Sequence, residues 1–349
     1  MKRRCSSSVC LSILLATLGS LCSPGQAQAI DSFFGSWAFE LPDGGPAWLQ
    51  IIETEQEIEG FLLWRVGSAK PVNDLAYRDG QLTFHRRIRW KPHGINDLAR
   101  AIDKPMTARL RADVLQLTVH QTDLATGAEE TIVLSGKRMP TMPPRPDLSR
   151  VEFGSPIRLF NGRDLSGWKL VNPNKKSGWQ VVNGVLTNST PKTDFSAYGD
   201  YGNLRTVSEF EDFRLTIEYN VPPGGNSGIY LRGAYEIQVV DRNSRMQGIS
   251  GPGAVFGRIA PATNAGKPGG QWNRYEVTLV DRHITVVLNG ETVIDNLPVI
   301  GCTGGGISAD DTKPGPIFLQ GDHTSVQYRN IQLRPATKSP SLPTDTPCP

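Results

Sequence analysis

Hydrophobic and polar residues alternate along most of this chain in short runs interrupted by glycine and proline. That is the period-two signature of strands, not the 3.6-residue period of helices. The clearest run is Phe213-Arg214-Leu215-Thr216-Ile217-Glu218-Tyr219-Asn220-Val221, which sets its apolar residues on one face. Residues 274–280 and 284–288 read as a hairpin about Asp281-Arg282-His283, Asn289-Gly290 as a tight turn, and residues 326–333 as a closing strand. Similar runs recur upstream, among them Trp48-Leu49-Gln50-Ile51-Ile52 and Val114-Leu115-Gln116-Leu117-Thr118-Val119. The pattern predicts an all-β protein. Residues 31–138 form a small β-barrel and residues 157–335 a two-sheet sandwich, joined by a Pro-rich linker at 139–156. Residues 336–349 are expected to be a disordered tail.

One hairpin has chemistry on its second face. In residues 222–241 two alternating runs flank Gly233-Ala234, and a three-residue turn at Arg232-Gly233-Ala234 pairs Leu231 with Tyr235 and Ile229 with Ile237. That register gathers Tyr230, Glu236 and Gln238 on the opposite face, with Arg232 at its end and Asn226 in the Gly-rich approach. A carboxylate, amides, a phenol and a guanidinium suit a small carbohydrate, whose hydroxyls need planar polar partners. The alternative is an outward, solvated sheet face. Downstream, Gln320-Gly321-Asp322-His323 lies between two predicted strands and can bring an imidazole to the sheet edge.

Composition narrows the partners. The chain of 349 residues carries 37 Lys+Arg against 34 Asp+Glu. Three of the bases, Lys2, Arg3 and Arg4, stand in residues 1–29, which hold no acid. The remainder is balanced and offers no field for nucleic acid or an anionic membrane. Residues 1–29 have the basic start, the apolar stretch at residues 9–21 and the Ala27-Gln28-Ala29 end of a secretory signal. Export, periplasmic or extracellular, after cleavage near Ala29 is the expectation, with no membrane span. Of five cysteines, Cys302 and Cys348 lie beyond this leader. They read either as a disulfide or as two unpaired thiols. The basic cluster His85-Arg86-Arg87-Ile88-Arg89-Trp90-Lys91 reads as a solvated strand end or a ligand lip. Gly251-Pro252-Gly253 and Gly304-Gly305-Gly306 lack the spacing of nucleotide loops.

Two resemblances follow from these words. Gly35-Ser36-Trp37, ahead of a β-meander, is similar to the start of lipocalin-like barrels. Residues 157–335 resemble the 3-keto-disaccharide hydrolase domain family, a concanavalin A-like jelly roll. The matching words run in order: Leu159-Phe160-Asn161-Gly162, Gly178-Trp179, Asn226-Ser227-Gly228-Ile229-Tyr230, Tyr235-Glu236-Ile237-Gln238, Gln271-Trp272-Asn273 and Gln320-Gly321-Asp322-His323. The resemblance implies cleavage of glycosides already oxidised to a ketone at C3. Removing the acidified C2 proton expels the C1 substituent, and water can then add. Such chemistry needs a base, donors at the ketone oxygen and an acid for the leaving group. On that basis Glu236 is the expected base, Arg232 the enolate stabiliser and His323 an acid or base. Asn226, Tyr230, Gln238, Gln320 and Asp322 are expected at the sugar. No cofactor is expected, although Glu236, Asp322 and His323 offer a divalent-metal alternative. A non-catalytic sugar-binding sandwich is the competing reading.

Overall fold

The computed structural model describes residues 30–90, 100–122, 129–191 and 200–338. The leader, Cys348, residues 339–349 and Lys91 of the basic cluster lie outside the described residues. The architecture is all-β, in three sheets.

Nine antiparallel strands between Gly35–Glu40 and Glu129–Arg138 form the first sheet, consecutive strands pairing except at its two edges. Gly35–Glu40 also pairs with Glu129–Arg138, which bends the meander back on itself. Its edge strands are Val66–Pro71 and Asn73–Arg78. The Val72 amide donates to the Gly60 carbonyl at 2.9 Å, extending the Ile58–Trp64/Val66–Pro71 ladder to the start of Asn73–Arg78, which also comes against Ile58–Trp64, and the sheet is a nearly closed barrel. Trp37, Phe39, Leu49, Leu82 and Phe84 fill its interior. The basic cluster lies along Gln81–Trp90, where Arg87 pairs with Asp103 at 2.9 Å and Arg86 lies over Trp64.

The sandwich follows. A nine-stranded sheet includes Phe213–Asn220, Asn273–Val280, His283–Leu288 and the long closing strand Val326–Lys338. A five-stranded sheet packs on it, in the order Trp168–Leu170, Leu204–Thr206, Phe318–Leu319, Asn226–Leu231, Tyr235–Val240. Non-consecutive neighbours in both sheets give the crossed topology of a jelly roll. Leu215, Ile217 and Tyr219 from the first sheet meet Ile229, Ile237 and Leu319 from the second.

Two details differ from the sequence expectations. The hairpin after Val280 turns on two residues, Asp281 (φ 48°) and Arg282 (φ 58°), and His283 already pairs with Val280 in the next strand. Two left-handed residues match the right-handed strand twist better than a three-residue loop. The closing strand runs on to Lys338, because Glu152 and Phe153 pair with its end, so residues 336–338 are not tail. The Pro-rich segment packs on the sandwich. Met139 is buried in the sandwich core cluster, and Asn296 Nδ2 donates to the Pro146 carbonyl at 2.8 Å.

The barrel itself contributes to the sandwich core. Ala38, Trp48 and Leu63 are cross-strand partners on the barrel's outer side, and all three belong to the sandwich cluster. Burial of both faces explains why Pro46-Ala47-Trp48-Leu49 loses its alternation. Cys302 is fully buried and, among the described residues, in no disulfide; burial pushes its thiol up to about 12. Among the described residues, no helix is long and apolar enough to cross a membrane.

Candidate functional site

The hairpin takes the register read from its apolar residues. Leu231 pairs with Tyr235, Ile229 with Ile237, Tyr230 with Glu236 and Gly228 with Gln238. Arg232 (φ 54°) and Gly233 (φ 65°) form the turn, closed by the Ala234 amide on the Leu231 carbonyl at 3.0 Å. Ile229, Leu231, Ile237 and Val239 enter the sandwich core, so Tyr230, Glu236 and Gln238 share the other face. The neighbouring strand pairs Phe318 with Tyr230, and just past its end the Gln320 amide donates to the Gly228 carbonyl at 2.9 Å, which leads the loop at 320–323 away beside that face.

This face is polar yet buried. Glu236 is only 4% exposed and Gln238 1%. The Glu236 carboxylate lies over Gly228, where a Cβ would stand 2.3 Å from Oε1, so this strand position has room only for glycine. Tyr230 stacks on Phe318, with centroids 4.1 Å apart and planes 7° apart. Its hydroxyl lies 2.9 Å from both Glu236 Oε2 and the Gly304 carbonyl oxygen. A phenol has one proton to give. It donates to an ionised Glu236; a protonated Glu236 donates to it, and it donates onward to Gly304.

Burial raises Glu236 to about 8. The Tyr230 hydrogen bond pulls the other way, and the charge of Asp322 adds to the rise. At neutral pH the group is therefore mostly the neutral acid. Asp322 Oδ1 meets His323 Nδ1 at 2.6 Å, and both side chains are about 15% exposed. Asn203, unmarked in the sequence, donates from Nδ2 to Asp322 Oδ2 at 3.4 Å and accepts from the Gly321 amide at 2.7 Å. The carboxylate orients the imidazole, as in general-base pairs.

The amides complete the face. Gln238 Nε2 donates to the Ser250 carbonyl at 3.2 Å. The side-chain oxygens of Asn226, Gln238 and Gln320 are buried without a hydrogen-bond partner among the described residues. Buried acceptors left unpaired are costly, and each of these three oxygens keeps the capacity to take a donor.

Two expected roles need correction. Arg232 does not join the group: its Nε and Nη2 donate to the Lys313 carbonyl at 3.0 and 2.8 Å, because the left-handed turn sends it toward that loop. Tyr230 stacks on Phe318 and its hydroxyl is engaged with Glu236 and the Gly304 carbonyl, so the ring face a sugar would stack on is taken by Phe318 and the residue positions Glu236. Among the described residues, no three His, Cys, Asp or Glu side chains gather into a group able to hold an ion, so the metal alternative gains no geometric support. Sequence reasoning missed Asn203 and Phe318. Phe318 was legible as the alternate position before Gln320, whereas nothing local marks Asn203.

Comparison with known proteins adds a family. A curated 3-keto-disaccharide hydrolase from Bacteroides thetaiotaomicron is 23% identical over 166 residues. That alignment covers 40% of this chain and 57% of the relative's length. Two solved structures of Parabacteroides distasonis proteins designated glycosyl hydrolases are also similar. One is 28% identical with a TM-score of 0.42, covering 57% of this chain and 94% of the other. The second is 20% identical with a TM-score of 0.41, covering 52% and 93%. Residues 155–334, just over half of the chain, match the model of 3-keto-alpha-glucoside-1,2-lyase-like domains. They include every polar group described on this sheet face, and through them the protein belongs to that carbohydrate-active family.

Proposed function

We propose that the sandwich cleaves glycosides carrying a ketone at C3, by proton removal at C2 and loss of the C1 substituent. The observation that carries this reading is an acid held neutral on a buried sheet face (Glu236), within electrostatic reach of Asp322, whose carboxylate orients the His323 imidazole in the loop that follows Phe318–Leu319. An eliminating site needs one group to take a proton and another to give one. His323 takes the C2 proton, and the electron pair passes to the C3 oxygen as an enolate. The enolate re-forms the C3 ketone, its electron pair forms a C1=C2 double bond, and the C1–O bond breaks. Glu236 gives its proton to the departing oxygen. Water added across C1=C2 completes a net hydrolysis; without that step the reaction is a lyase reaction. Asn226, Gln238 and Gln320 accept from the sugar hydroxyls.

This assigns Glu236 the acid role, where the sequence alone suggested a base. The physical reason is its burial, which disfavours the carboxylate at neutral pH. The two closely set carboxylates of ordinary glycosidases are not required. The broad match to a lyase-like family supports the substrate class, and export by the leader is part of the same proposal.

The test is incubation of the full chain with 3-keto-trehalose or 3-keto-sucrose while free sugar is followed. Release by the wild type and its loss in Glu236→Gln is the expected result. Binding of the keto sugar without release would favour the non-catalytic sugar-binding reading.

A further inference from the structure

The barrel has no role in the chemistry above, yet it touches the candidate site's scaffold at several places. The turn between its strands Ile58–Trp64 and Val66–Pro71 projects onto the sandwich. There the Arg65 carbonyl accepts from the Gly305 amide at 2.8 Å. A Cβ on Gly304 would stand 2.3 Å from the Gly67 carbonyl oxygen and 2.4 Å from its nitrogen, so two backbones lie in direct contact. One residue further, Ser68 packs on Gly257, where a Cβ would lie 2.6 Å from its hydroxyl. Arg258 then stacks over Trp48 of the barrel at 4.3 Å while donating to the Cys302 carbonyl at 2.9 and 2.6 Å.

Both touched loops hold Glu236. From residues 303–305, the Thr303 hydroxyl accepts from the Glu236 amide at 2.9 Å, and the Gly304 carbonyl takes the Tyr230 hydroxyl that bonds the carboxyl group. Gly305 is equally tight, with only 2.6 Å between its Cβ position and that hydroxyl. From residues 256–257, the Phe256 amide donates to the Glu236 carbonyl at 3.0 Å. The barrel turn thus abuts each support of one side chain from outside.

We propose that the N-terminal barrel is a positioning element of the site: its turn at residues 65–68 clamps the loops at 303–305 and 256–257 and so sets the placement of Glu236. This rests on Glu236 being the working acid. The mechanism is steric and hydrogen-bonded. If the turn moves, the Gly304 carbonyl moves, Tyr230 loses its second acceptor, and the balance between neutral and ionised Glu236 shifts. Displacement of a positioned group by about 1 Å, caused far from the chemistry, can cost on the order of 100-fold in rate.

The test uses the full chain with two variants, Gly304→Ala, whose methyl group collides with the turn, and Ser68→Tyr, which wedges it from the barrel side. Ser68→Ala is the conservative control. Two readouts are taken on protein whose melting confirms that it is folded. One is the infrared titration of the Glu236 carboxyl without substrate, identified by difference from Glu236→Gln. The other is kcat against pH on a 3-keto disaccharide. The expected result is a Glu236 midpoint moved by about half a unit or more, a kcat lowered about tenfold or more, and a KM within about threefold. Ser68→Ala should match wild type. An unmoved Glu236 titration in folded Ser68→Tyr and Gly304→Ala overturns the proposal. A moved titration in a protein that turns over no keto-glycoside supports the clamp and sinks only the reading of the reaction.

Discussion

The strands Phe213–Asn220 and Tyr235–Val240 send apolar side chains into the same core, yet their other faces differ completely. On Phe213–Asn220 the alternate residues Arg214, Thr216, Glu218 and Asn220 are only half-buried, and Glu218 meets Arg329 at 2.7 Å in an ordinary solvated pair. On Tyr235–Val240 every residue is buried, including Glu236 and Gln238. The first face obeys the rule that charge stays wet. The second breaks it and retains a carboxylic acid in a dry place, a costly arrangement of the kind that clusters at functional sites.

That contrast can be broken by mutation, beginning with the largest effect. Glu236→Gln should lower kcat on a 3-keto disaccharide about 1,000-fold, within the range for a positioned acid, while Glu218→Gln should change it less than twofold. Steady-state kinetics of both variants decide; equal losses would erase the distinction between the faces. His323→Asn should cost about 100-fold, since the imidazole is the proposed base. Gly228→Ala should cost a similar order by pushing the carboxylate off its seat, with KM altered less than kcat.

Protonation gives a subtler comparison. Glu236 binds its proton more tightly in the folded state, about 8 against the ordinary 4.5. Its contribution to stability is therefore full below about pH 4.5 and is lost as pH rises through about 8, a difference of a few kcal/mol. Melting of the wild type relative to Glu236→Gln should fall between pH 5 and pH 9, and kcat should fall above about pH 8 as the acid ionises. A flat difference in melting would mean that Glu236 is not buried as a neutral acid. The smallest effect is expected at the wet face. Glu218→Gln should change stability by about 1 kcal/mol or less, as surface ion pairs do.

The hairpin at residues 226–240 shows how far pattern reading reaches. Opposing Leu231 to Tyr235 and Ile229 to Ile237 was enough to choose the register, because a slip by one residue would drive Glu236 into the apolar core. The same alternation put Tyr230, Glu236 and Gln238 together. It failed at Arg232, where the turn leaves strand geometry and the side chain follows the Lys313 loop instead. Nothing local to Tyr230 foretells that Phe318 stacks on its ring and takes the place of a sugar there. At Pro46-Ala47-Trp48-Leu49 the alternation disappears because a second body packs on the barrel's outer side.

The sequence by itself determined the all-β class, the hairpin register and which side chains share a sheet face. Those follow from a two-residue period and from the cost of burying the wrong face, both local to a strand. Only the tertiary structure decided that the polar face is covered, that Glu236 is held neutral, that Asn203 joins Asp322, and that a barrel turn abuts the loops at 304 and 257. These depend on which distant backbones meet, and desolvation is set by the whole neighbourhood of a side chain, which alternation along one strand does not encode.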